Sequence, residues 1–109
     1  MLVQNNDLKK NDILAGKLVS GEEIVAKVVE INNTTVKITK PLAISLMQHP
    51  SHREPVVAPV PWTLATPDDA ILEMNRNHFL FITKARPEIL NSYMQATTGL
   101  QLPGKGSII

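Results

Sequence analysis

Few residues in this chain combine the type and the spacing that chemistry needs. His49 and His52, three apart in the polar run 48–54 (QHPSHRE), are the side chains best suited to a metal ion. A closed zinc site takes four ligands, and two histidines on such a loop are weak evidence for one, so the run reads as a solvated loop. Glu22-Glu23 offers two adjacent carboxylates. Neighbours on a strand point to opposite faces, so the pair cannot act as an acid/base dyad. It reads as solvation of a turn and a strand start. No serine sits in a nucleophile elbow beside a placed histidine. No Gly-rich phosphate loop leads from a strand into a helix. The expectation is a protein that is not an enzyme and holds no metal and no cofactor.

Trp62 could stack on a base or anchor packing. In the apolar stretch around it, the packing role is the expected one. Asn33-Thr34-Thr35 matches a glycosylation sequon. Met1-Leu2-Val3 gives way at once to polar residues, so no secretory leader is predicted and the sequon carries no weight. The 109 residues suffice for one domain with one modest core. A net charge of +1 builds no basic field that would announce nucleic acid. With no cysteine, disulfides and thiolate metal sites are excluded, and a reducing compartment fits. No apolar run approaches the roughly 18 residues of a membrane helix. A cytoplasmic protein away from the membrane is expected.

The elements that must position these residues are mostly strands. Residues 17–47 read as an antiparallel meander. Its first strand, 13–19, holds Gly16, which predicts a bend or a close approach. The chain turns at Ser20-Gly21. The second strand, 22–31, carries Ile24, Ala26 and Val28 on one face and Val25, Val29 and Ile31 on the other. Burial on both sides predicts a curved strand in a small barrel, or a face covered by a neighbouring subunit. Asn32-Asn33 suits a tight turn because Asn tolerates left-handed dihedrals. The third strand turns Val36 and Ile38 inward, kinks near Pro41 and continues through Leu42, Ile44 and Leu46. Ahead of the meander, Asn6 can cap one helical turn over 7–10; an irregular arm is the alternative.

Beyond the polar loop, residues 55–64 are extended. Pro59 and Pro61 remove donors along one edge of that segment. Either it or 70–75 serves as the fourth strand. Thr66-Pro67-Asp68-Asp69 is a turn. Arg76-Asn77 separates 70–75 from 78–84, where the run Phe79-Leu80-Phe81-Ile82 predicts a strand buried on both faces. Pro87 first, Glu88 in the first turn and Gly99 beyond predict a helix over 87–98, with Leu90 and Tyr93 mostly buried. The tail, 100–109, is expected to be loose. The expected fold is mainly β. It is a single domain over 1–109, with a strongly bent five-stranded antiparallel barrel over about 13–84 and a C-terminal α-helix.

Two stretches carry a family resemblance. Leu18-Val19-Ser20-Gly21-Glu22-Glu23-Ile24 resembles the strand-turn-strand opening of the Sm motif in Sm and LSm proteins. Asn75-Arg76-Asn77-His78-Phe79-Leu80-Phe81-Ile82 resembles the second Sm motif, where an Ile-Arg-Gly turn precedes an apolar final strand. The chain also resembles Sm-like proteins attributed to cyanophages in marine sequence data, which share the Gly-Glu-Glu opening and a Pro-Glu helix carrying a Tyr. The likeness covers about residues 13–99. Ala26 stands where most Sm proteins have Gly, and Asn32 where an Asp opens the RNA-binding loop. Thr35 stands near the expected Asn, and Asn77 replaces the Gly of the Arg-Gly turn, where Asn can still adopt a left-handed conformation. Arg76 matches a nucleotide-contacting position outright.

The resemblance implies a small Sm-like barrel in a closed homo-oligomeric ring of about five to seven subunits. In such rings the final strand of one subunit pairs with the fourth strand of the next. It implies single-stranded RNA near the pore, met by Arg76, Asn77, Asn32 and Asn33. The alternative is a viral structural or interaction scaffold ring that binds phage or host protein and not RNA. Arg76 would then cap its turn or pair with Glu73 or Asp69 of a neighbour. A phage-encoded protein would work in the cytoplasm of its host.

Overall fold

The computed structural model describes residues 8–47 and 56–98. It contains six strands and one helix: β1 (Ile13–Leu18), β2 (Glu23–Ile31), β3 (Thr35–Met47), β4 (Val56–Pro61), β5 (Ile71–Asn75), β6 (Phe79–Lys84) and α1 (Pro87–Thr98). Every pairing is antiparallel. The order is β4-β3-β2-β1-β6, with β5 also on β3, and the sheet is not closed. The protein is therefore mainly β with one C-terminal helix. No helix among the described residues is long and apolar enough to cross a membrane.

Six strands appear instead of five because β3 serves two partners. Its residues 35–39 pair with β5 and its residues 42–47 with β4. Both candidates for the fourth strand are thus used, each on one half of β3. The division falls at Lys40-Pro41. Val25 faces Leu42 while Lys27 faces Thr39, so β3 spends two residues where β2 spends one. Lys40 takes a φ of 53°. This is a β-bulge, and it exchanges the inward and outward sides of the strand. Val36 and Ile38 lie in the core before it, and Leu42 and Ile44 belong to the opposite face after it. A second slip, at Val29, does the same for β2, so Ile31 faces Val36 and packs on the core.

Leu14, Ile24, Val28, Val36 and Ile38 form the wholly buried centre. Leu8 reaches the same core from the N-terminal arm. Residues 8–12 form a turn, closed by Lys9 N–H to Asp12 Oδ2 at 3.0 Å and Asp12 N–H to the Lys9 carbonyl at 3.0 Å. Asn6 and Asp7, which would cap and open the expected helical turn, lie outside the described residues.

The second face of β2 is covered within the chain. Val25 is buried, yet it lies beside Ala15 on the face opposite Ile24. Helix α1 lies over this face. Its Ile89 lines a hollow of about 320 Å3 with Val25, Ile44 and Phe81. Its buried Tyr93 donates its hydroxyl to the Lys40 carbonyl at 2.8 Å. Pro87 holds the first helical position, as expected; Gly99 and the tail lie outside the described residues.

Leu90 is mostly buried, as expected, but less completely than Tyr93. Leu90→Ala should therefore cost about 1–2 kcal/mol, less than the ~2–5 of a wholly buried leucine. A urea titration reads this as a lower midpoint at unchanged slope. A change below about 0.5 kcal/mol would mean that this helix face contributes no stability.

The two-sided burial expected of the final strand is not present in the single chain. Phe79 and Ile82 are buried, but Leu80 is 64 % and Phe81 48 % exposed. Leu18 faces Phe79 and Lys17 faces Phe81, which leaves Leu80 as an extra residue. That bulge breaks the alternation.

Candidate nucleic-acid interface

The β2–β3 turn is built on one side chain. Asn32 Oδ1 accepts from the backbone N–H groups of Thr34 and Thr35, both at 2.9 Å. It also accepts from their hydroxyls at 3.2 and 3.3 Å. Asn32 N–H donates to the Thr35 carbonyl at 3.0 Å. This is an Asx turn, in which the amide oxygen replaces a backbone acceptor. The left-handed dihedrals expected of Asn are not used. Among the described non-glycine residues, only Asn11 and Lys40 have positive φ.

The β5–β6 connection is a single 3₁₀ turn, Arg76–His78. Asn75 caps it, accepting from Asn77 N–H at 2.8 Å. Asn77, where the motif that this stretch resembles carries glycine, has no left-handed backbone. Asn75 escaped the sequence reading, although its type is a favoured cap.

Arg76 joins the two turns. Its backbone N–H donates to the Thr34 carbonyl at 2.9 Å. Its guanidinium Nη1 donates to the Asn32 carbonyl. Within the chain, neither Glu73 nor Asp69 forms an ion pair with it. The fork carries five N–H donors, so donors remain for a ligand. Arg76 is half-buried, while Asn32, Asn33 and Asn77 are exposed. A planar cation beside exposed amides can stack on a base, bond a phosphate and read a base edge. The local field is modest, because nearby Lys37 lies 3.4 Å from Glu30.

The other residues with recognition chemistry stay apart from this pair of turns. Trp62 is half-buried and packs against the core, and its backbone N–H donates to the Pro41 carbonyl at 3.3 Å. Glu22 accepts from Ser20 Oγ at 3.0 Å, in the solvated role expected for it. His49 and His52 lie outside the described residues. Among the described residues, no three metal-capable side chains gather. Compared with known proteins, the chain matches no family model and no curated sequence.

Proposed function

We propose that the protein is an Sm-like subunit of a closed homo-oligomeric ring that binds single-stranded RNA through the paired turns. The observation that carries this reading is the contact of the Arg76 guanidinium with the Asn32 turn. It gathers Arg76, Asn77, Asn32 and Asn33 into one loop cluster, and a ring would repeat that cluster around its axis. The bulges in β2 and β3 favour the curvature of a small barrel.

Strand edges that are unpaired among the described residues support the ring. β6 and β4 end the ladder, and β5 has β3 as its partner. Trp62 N–H points to β3, so the alternation of a strand turns the Pro61 and Pro59 nitrogens to the outer edge. That edge lacks donors where β6 of another copy would need them. The edge of β5 is the one suited to receive it, and Leu80 and Phe81 would be covered there. About five to seven copies would close by rotation. The scaffold reading, a ring that binds protein alone, shares this assembly and leaves Arg76 as the tie between two turns.

The test measures short U-rich and A-rich RNA by fluorescence anisotropy, with native mass spectrometry on the same samples. Wild type should bind, and Arg76→Gln should weaken binding roughly tenfold with a shallower salt dependence. An intact ring that binds no RNA even at low salt would leave the scaffold reading in its place.

A further inference from the structure

Away from the two turns, α1 and the outer face of the sheet frame a hollow of about 730 Å3. That is the size of a small-ligand pocket. Lys27 of β2 and Lys40 of the β3 bulge line it, with Ile13, Leu90 and Met94 as apolar wall. Both lysines are partly buried. Among the described residues, neither has a carboxylate within ion-pair distance. Asp12 also borders the hollow, but its carboxylate accepts from Lys9 N–H at 3.0 Å and lies 3.9 Å from Lys9 Nζ. Two lysines that line one hollow, with no ion-pair partner of their own among the described residues, offer an anion two ammonium donors.

A second observation points the same way. The two described non-glycine residues with positive φ, Asn11 at 76° and Lys40 at 53°, both border this hollow. For lysine the left-handed region is a cost that glycine would not bear. Backbone outliers of this kind persist where the surroundings hold them, and they cluster at ligand sites.

We propose that this hollow binds a small organic anion, its carboxylate or phosphate held by Lys27 and Lys40 and its apolar body laid on Leu90 and Met94. The site is separate from the paired turns and does not depend on the RNA reading.

The test titrates the full-length protein with octanoate, octyl phosphate, octanol and inorganic phosphate, by calorimetry and by amide chemical-shift mapping. At least one octyl anion should bind with a dissociation constant below about 1 mM, with shifts around α1 and the bulge. Whichever octyl anion binds tighter identifies the head group. Octanol and inorganic phosphate should each bind at least about tenfold more weakly. Lys27→Gln should weaken the octyl anion roughly tenfold or more. Lys40→Gly should weaken it likewise, with a thermal midpoint no lower than wild type, because glycine relieves the left-handed backbone. The proposal is overturned if neither octyl anion binds, or if octanol or phosphate alone binds as tightly. It is also overturned if Lys27→Gln retains wild-type affinity, a result that decides the matter even should Lys40→Gly fail to fold.

Discussion

Tyr93→Ala should lower stability by about 3–5 kcal/mol, the cost of emptying a buried aromatic site. Tyr93 is 2 % exposed and is the buried residue of α1. Its hydroxyl donates to the Lys40 carbonyl at 2.8 Å and lies 3.4 Å from the Thr39 carbonyl. Both carbonyls sit where β3 changes partners, so one phenol ties the helix to the bulge. Tyr93→Phe should keep the ring's packing and lose about 1–2 kcal/mol, because the Lys40 carbonyl is left short of a donor.

The same burial predicts an alkaline signature. Desolvation pushes the phenol from 10.0 up to about 12, against a smaller downward pull from the Lys27 backbone N–H. The folded state then holds the proton more tightly than the unfolded chain. Its contribution is fully present below pH 10 and is lost as pH rises towards 12. The loss should reach about 2–3 kcal/mol. The difference between wild type and Tyr93→Phe isolates the phenol from every other group. The chain has one tyrosine, so ultraviolet difference absorbance reads its ionisation directly. Ionisation near 10, or Tyr93→Ala within about 0.5 kcal/mol of wild type, would sink the clamp.

What the sequence reveals of this fold follows from which forces act locally. Pro87 marks the start of α1 because its ring fixes φ and its missing N–H is not needed there. Gly21, with a φ of 103°, marks the β1–β2 turn for the opposite reason. Register slips leave no such sign. Val25, Val29 and Ile31 read as one face, yet the slip at Val29 sends Ile31 to the core while Val25 stays under α1. The extra residue Leu80 turned an apparent two-sided strand into one with two exposed apolar side chains. The place where α1 docks is also illegible, because periodicity defines a helical face and not its partner. In the candidate site, the turn residues are legible by type. The contact of Arg76 with Asn32 spans 44 positions, and only the family resemblance anticipated it.

Gly16→Ala should cost about 1–3 kcal/mol through a clash. A Cβ built at Gly16 would lie 2.8 and 2.9 Å from Cδ2 and Cε2 of Phe79, and 3.2 Å from the Phe81 carbonyl oxygen. The close approach anticipated for this glycine is thus the ring of a buried neighbour. Gly16 has no positive φ, so its backbone would accept alanine. Without the clash, alanine would stabilise by about 0.4–1 kcal/mol through the unfolded chain. The sign of the measured change therefore decides between the two effects. Leu18 faces Phe79 and Gly16 faces Ile82, with the bulged Leu80 between them on β6. The ring must lean across that bulge, and the Phe81 carbonyl on the other side is backbone that cannot swing away. Phe79→Leu should therefore cost less in the Gly16→Ala background than in wild type, with a coupling of about 0.5 kcal/mol or more. Urea titrations of the four proteins close the cycle. A stabilising Gly16→Ala, or strict additivity, would show that the ring is not what requires glycine at this position.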